Sequence, residues 1–265
     1  MAPTATVVPP LGRVGEVAYT TLGEGLPVTV FAHGLGGSAS ETRPLASRVP
    51  GTRILLSFRG HGDSGDLPGG WDYDVLAEDL RAVADATGAR CAVGLSLGAG
   101  ALMRVLAGDP YRFDRVAFVL PAAIDATRAD GATLRLEALG DAIDAGDADA
   151  VTAILMSEVP AAVRTRRGVS TLVRRRAVQL SSRPAPRPLR DDRPLVDRAV
   201  LGTVHVPALV IGQDADPLHR LDVAQELAAA LPQGRLVSLP EGGVFWGSAR
   251  DAQDALAHHV TGGTA

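Results

Sequence analysis

The sequence predicts an α/β fold: a mostly parallel, twisted sheet flanked by helices, interrupted once by an inserted helical segment. Three observations carry this. Short β-rich apolar runs alternate with stretches of helical periodicity up to about residue 121 and again from 204 onward, the pattern of a parallel sheet covered on both faces. Arg90-Cys91-Ala92-Val93-Gly94-Leu95-Ser96-Leu97-Gly98-Ala99-Gly100 reads as a buried strand, a tight turn bearing a serine, and a helix. Residues 122–203 contain no buried-strand run at all.

Taken in order, residues 1–12 read as a loose tail and Val14 to Thr21 alternates as an edge strand. Pro27 to Ala32 is a short strand ending in His33-Gly34-Leu35-Gly36-Gly37. Ser38 to Val49 is a helix that Ser38 or Ser40 can cap. Arg53 to Phe58 is a buried strand running into Arg59-Gly60-His61-Gly62-Asp63-Ser64-Gly65. Asp72 to Thr87 places Leu76, Leu80, Val83 and Ala84 at helical spacing. The serine-bearing strand and its helix follow, then the strand Arg115–Leu120. The segment 122–203 has helical stretches near Ala132–Ala145, Ala148–Glu158 and Thr171–Leu180, a run of arginines from Arg164 to Arg176, and Pro184, Pro186 and Pro188. It reads as a helical lid inserted into a core made of 1–121 and 204–265. Its arginines form a solvated face or meet an acidic substrate group. The core resumes at His205–Gly212, continues with a helix over about 221–231 and the strand Gly234–Leu239, and closes with a helix from Ser248 to Val260.

Composition bounds the function. The 265 residues suffice for one large core or a core plus a lid. A net charge of −4 gives no whole-chain basis for binding nucleic acid or an anionic membrane. All 26 basic residues are arginine, which rules out lysine-based chemistry. Cys91 stands alone, so it forms no internal disulfide and reads as a buried, inert thiol. Neither a signal peptide nor a membrane span is legible, so the expectation is a soluble cytoplasmic protein. The expected partner is a small-molecule substrate, with no nucleic acid and no membrane; no cofactor and no metal are expected. The histidines are scattered, and Asp141, Asp144, Asp147 and Asp149 lack the spacing and closing Glu of a calcium loop.

Gly94-Leu95-Ser96-Leu97-Gly98 fits G-x-S-x-G. A serine lifted out of a sheet on a strained strand-to-helix turn brings its flanks against neighbouring backbone, where only glycine fits. The turn also places the Leu97 amide at a helix N-terminus, where it can stabilise an oxyanion. With His33–Gly37, Arg59–Ser64 and Gly212-Gln213-Asp214-Ala215-Asp216-Pro217-Leu218-His219, this chain resembles the α/β-hydrolase superfamily over nearly its whole length. The resemblance implies the α/β-hydrolase fold with Ser96 as nucleophile and Asp216, rather than Asp214, as the acid. It further implies the amides of Leu35 and Leu97, beside Gly34, as the oxyanion hole.

One departure stands out. The family's histidine follows the last strand, and here Gly242-Gly243 is followed by Val244; no histidine lies between 220 and 257. A serine hydroxyl without a base is a poor nucleophile. His219 is the foremost substitute, with His61, His33 and Glu241 as further candidates. Val244, Phe245 and Trp246 are expected to make the pocket wall apolar. The leading expectation is therefore a hydrolase of a small ester, thioester or lactone with a rearranged triad. The alternatives are a non-hydrolytic lyase or cyclase of the same fold, or a catalytically silent binding protein. A rival from another class rests on Gly34-Leu35-Gly36-Gly37-Ser38-Ala39, which fits the dinucleotide fingerprint G-x-G-x-x-A. It lacks the acidic residue that should end the next strand, where Ser57, Phe58 and Arg59 stand.

Overall fold

The computed structural model describes residues 9–67, 70–127, 131–182 and 192–263. Eight strands form one sheet: β1 (Leu11–Val14), β2 (Val17–Leu22), β3 (Val28–Ala32), β4 (Thr52–Leu56), β5 (Cys91–Leu95), β6 (Arg115–Val119), β7 (Ala208–Gln213) and β8 (Gly234–Leu239). Their spatial order is β1-β2-β4-β3-β5-β6-β7-β8. β1–β2 and β2–β4 are antiparallel; every later pair is parallel. Five helices pack on the sheet: α1 (Ala39–Ala46), α2 (Tyr73–Thr87), α3 (Leu97–Gly108), then, beyond the inserted helices α4 (Gly131–Asp144), α5 (Ala148–Glu158) and α6 (Val169–Leu180), α7 (Leu221–Ala230) and α8 (Ala249–Val260).

The period-2 alternation of strands sorts residues between two cores. Val30, Ile54, Ala92, Phe118 and Val210 face α2, α3 and α7, while Phe31, Leu55, Val93, Val119 and Ile211 face α1 and α8. Helix boundaries follow local chemistry. Ser38 caps α1 by accepting from the Ser40 amide, Asp72 caps α2 by accepting from the Val75 amide, and Gly88 closes α2 in the left-handed region.

The N-terminal expectation needs correction. Leu11 and Gly12 open a strand, Leu11–Val14, rather than ending a tail, and β2 is internal rather than an edge. Gly15 at φ +53° turns the chain between them into a hairpin, so one alternating run holds two strands. The tail's first eight residues and Pro184, Pro186 and Pro188 lie outside the described residues.

α4, α5 and α6 share an apolar cluster of their own, with Ile143, Val151, Leu155, Val173 and Ala177 at its centre. The chain departs for and returns from these helices through a clamp. The Leu195 amide donates to the Ile124 carbonyl at 2.9 Å, and Arg198 donates to both carboxylate oxygens of Asp125 at 2.6 and 2.8 Å. Strand order reverses between β3 and β5, and in such sheets ligands settle beyond the carboxyl ends at that reversal. The loop after β3 and the turn after β5 stand side by side there.

Candidate active site

Ser96 sits at φ 51°, ψ −107°, between β5 and α3. A non-glycine residue with positive φ is strained, and such strain concentrates at functional turns. The flanking glycines are required by space. A Cβ on Gly94 would lie 2.4 Å from the Gly98 carbonyl oxygen, and one on Gly98 would lie 2.4 Å from the Ala32 oxygen of β3. The amides of Gly98, Ala99 and Gly100 are engaged by the carbonyls of His33 and Ser96. The Leu97 amide, first in the helix, has no acceptor among the described residues.

The histidine that reaches Ser96 is His219. Its Nε2 lies 2.8 Å from Ser96 Oγ, and its Nδ1 lies 3.2 Å from Asp216 Oδ2. Facing a carboxylate, Nδ1 carries the proton, which leaves Nε2 to accept from the serine hydroxyl. Asp216 is held by four donors. Oδ1 accepts from the amides of Leu218 and His219 at 2.7 and 2.9 Å, and Oδ2 also accepts from Gln213 Nε2 at 2.6 Å. Burial raises the Asp216 pKa, but its hydrogen bond to His219, its electrostatic attraction to that ring and the two amides outweigh burial and hold it below the ordinary carboxylate range. Ala215, at φ 52°, supplies the bend that separates Asp216 from its neighbour Asp214. Asp214 is exposed and spends its amide on the Leu239 carbonyl.

Val244 corrects an expectation. Its side chain is 1% exposed, packed in the α1/α8 core, and forms no part of the cavity wall. Phe245 and Trp246 do line the cavity. What Val244 offers is its backbone: its amide donates to Gln213 Oε1 at 3.1 Å. Gln213 thus joins the turn after β8 to Asp216, a support that no motif in the chain singles out.

The other base candidates lie elsewhere. His33 is fully buried; its Nε2 accepts from the Phe58 amide at 3.0 Å, and its Nδ1 faces the Gly34 carbonyl at 2.7 Å. Burial drives its pKa well below the usual value. His61 is buried with Nδ1 toward the Arg59 carbonyl and lines a separate polar hollow. Glu241 reaches the cavity wall but forms no bond to Ser96.

The loop after β3 is fixed by its own contacts. The Gly34 carbonyl accepts from the Gly37 amide at 3.0 Å as well as facing His33 Nδ1. A trans peptide unit aims its C=O and N–H in opposite directions. Pinning that carbonyl therefore turns the Leu35 amide the other way, and no acceptor for it is found among the described residues. Gly34 lies against Ser96: a Cβ added there would sit 3.4 Å from the serine Cβ.

Ser96, Asp216 and His219 open into a cavity of about 670 Å³ between the strand ends and α4–α6, a volume suited to a small molecule. Leu136, Leu139, Ile143, Leu155 and Val173 give it an apolar roof. Arg135, Arg164 and Arg176 of the inserted segment line it, while Arg164, Arg166, Arg167, Arg174 and Arg175 are exposed. Glu158 lines it too; burial pushes its carboxyl up to about 7, opposed by Arg135 and Arg176 and reinforced by Asp216 and Glu41. Among the described residues no group of His, Cys, Asp or Glu is arranged to hold a metal ion, and no helix is long and apolar enough to cross a membrane. Burial raises the Cys91 thiol to about 11, in keeping with an inert side chain.

A doubly covered parallel sheet with a serine at its strand-to-helix turn defines the α/β-hydrolase class. The chain belongs to the Alpha/beta hydrolase family, whose model matches residues 29–258. Among solved structures it is similar to the enol-lactonase from Burkholderia xenovorans, at 21% identity and a TM-score of 0.75 over 95% of this chain and 100% of that one. It is similar to an esterase from a Rhodococcus species, at 17% identity and 0.73 over 93% and 94%. An esterase from Exiguobacterium antarcticum aligns at 18% identity and 0.70 over 92% and 95%. At such identities these likenesses speak to the fold alone. No curated protein sequence matches the chain.

Proposed function

We propose that this protein is a serine hydrolase of a small ester, thioester or lactone, with Ser96, His219 and Asp216 as its triad. The observation that carries the reading is the 2.8 Å approach of His219 Nε2 to Ser96 Oγ, with Asp216 behind the same ring. Ser96 Oγ attacks the substrate carbonyl while His219 Nε2 takes the hydroxyl proton. The amides of Leu35 and Leu97 receive the developing oxyanion. His219 returns the proton to the departing alkoxide or thiolate, leaving an acyl-serine. Water, deprotonated by His219, then cleaves the acyl group and restores the hydroxyl. Asp216 keeps the imidazole in the required tautomer throughout. The helices α4–α6 act as a lid whose apolar roof takes the substrate's hydrocarbon part.

In this reading the histidine comes from the Asp216 loop, so the triad keeps the chain order Ser…Asp…His and is atypical in placement: acid and base are three residues apart. A hydroxyl already bonded to a base favours acyl transfer over the lyase or cyclase reading, which needs no such nucleophile. The enol-lactonase and esterase neighbours agree with a carboxylic ester as the substrate class. Hydrolysis of p-nitrophenyl butyrate tests the proposal. Wild type should release p-nitrophenol with an acyl-enzyme burst; Ser96→Ala and His219→Ala should each lower kcat about 10³–10⁶-fold. Turnover that survives Ser96→Ala overturns the nucleophile assignment.

A further inference from the structure

The loop that carries the Leu35 amide is built from Gly34, Leu35, Gly36 and Gly37. Glycine has the widest backbone freedom of any residue, so this loop's shape must be imposed by its surroundings. Glu41, in the first turn of α1, supplies one restraint. Its Oε2 accepts from the Gly34 amide at 2.8 Å. With the Gly34 carbonyl held by Gly37 and His33, both polar groups of Gly34 are then tied. Gly37 must lack a side chain for this contact, since a Cβ there would lie 2.2 Å from Glu41 Oε2.

The other oxygen of the same carboxylate, Oε1, accepts from Arg176 Nη2 at 2.8 Å. Arg176 belongs to α6, 135 residues further along the chain. One turn on, Gln179 Nε2 donates to the hydroxyls of Ser38 and Ser40 at 2.9 and 3.1 Å. These contacts seat α6 on the start of α1 and on the back of the oxyanion loop. Glu41 and Arg176 are largely shielded, with side chains 20% and 26% exposed, so their ion pair is screened less than a surface pair.

We propose that Glu41 is a positioning residue for the reaction above: it sets the oxyanion loop, and Arg176 makes that setting depend on α6 being seated over the site. This rests on the serine-hydrolase reading. A carboxylate bonded at both oxygens has little rotational freedom, so the Gly34 amide, and with it the next peptide plane, is held at one orientation. When α6 lifts, the carboxylate loses one of its two tethers and the Leu35 amide loses definition. The oxyanion hole is thereby assembled best when the cavity is closed over a substrate.

The test compares Glu41→Ala, Glu41→Gln, Arg176→Met and the Glu41→Ala/Arg176→Met double variant on p-nitrophenyl acetate. Inhibition by a trifluoromethyl ketone, whose serine adduct places an oxyanion in the hole, is measured in parallel. Misplacing a catalytic dipole by a fraction of an ångström to 1 Å costs up to about 100-fold. Glu41→Ala should therefore lower kcat about 10–100-fold, move KM less than about 3-fold, and weaken the ketone in step with kcat. Glu41→Gln, which can still accept from the Gly34 amide, should recover most of the loss. Arg176→Met should show a smaller loss that disappears in the Glu41→Ala background. If Glu41→Ala folds and keeps both kcat and ketone affinity, the positioning role is overturned; if the Arg176→Met loss persists undiminished in the double variant, the coupling is. Should Glu41→Ala unfold, Glu41→Asp carries the same comparison, its carboxylate withdrawn by one methylene. Hydrolysis persisting in Ser96→Ala overturns the underlying reading instead, and is seen in a different variant.

Discussion

At the residue scale, the site is held by groups that make no contact with Ser96. Gln213 gives one end of its amide to Asp216 and the other to the Val244 backbone. Gln213→Leu keeps the volume but removes both bonds, leaving Asp216 Oδ2 with His219 alone and the Val244 amide unpartnered. A lost buried hydrogen bond with an orphaned partner costs about 1–3 kcal/mol. Steady-state kinetics on p-nitrophenyl butyrate should show kcat down about 10-fold with KM changed less, because Gln213 acts on the reaction through Asp216. Val244→His puts an imidazole in the turn after β8. His219 already occupies the serine, so a second imidazole should add no esterase activity. At a position 1% exposed it should instead overpack the core, lowering stability by about 1–3 kcal/mol in urea unfolding. A gain in kcat for this variant would count against His219 as the base.

At the element scale, the elbow is a spacing problem solved by two glycines. Gly98 lets α3 start against β3, and a methyl group there would meet the Ala32 carbonyl and carbon at 2.4 and 2.7 Å. Both are main-chain atoms of a central strand, so neither can swing aside. Gly98→Ala should thus destabilise by about 1–3 kcal/mol or more and shift the serine. Scanning calorimetry should show a fall of several degrees, given roughly 2–4 °C per kcal/mol at this chain length. An unchanged melting temperature with full activity would contradict the packing argument. The helices α4, α5 and α6 show why some elements were easy to read and their placement was not. Their apolar periodicity is local and marked them as helices. That Arg176 and Gln179 land on α1 depends on how the whole insertion folds back through the Ile124–Leu195 clamp.

At the scale of the whole molecule, acid stability is tied to a histidine remote from the reaction. His259 is 6% exposed beneath β6, with Nε2 on the Val116 carbonyl at 2.9 Å. Burial, helped by Arg115, Arg235 and His258, lowers its pKa to about 4 despite that bond. The folded state therefore holds this ring neutral down to about pH 4, whereas the unfolded chain protonates it near 6.5. Its contribution to stability is present above pH 6.5 and is lost as pH falls toward 4, a change of about 3 kcal/mol. Urea midpoints of wild type and His259→Gln, measured from pH 7 to 5, should converge as pH falls, the variant declining less. Parallel declines would remove His259 from the account.

The sequence by itself determined the elements and two members of the proposed triad. Strand and helix periods, caps and the glycine-flanked serine are governed by contacts within a few residues, so they are written locally. Sequence also narrowed the base to a few candidates, His219 first, and misjudged Val244 as pocket wall and residues 11 and 12 as tail. Only the tertiary structure decided which histidine meets Ser96, 123 residues away, and that Glu41 and Gln213 stand behind the loop and the acid. The reason is geometric: distances between groups on different strands follow from sheet register, twist and the seating of the insertion. These are properties of the assembled chain, and no short stretch of sequence carries them.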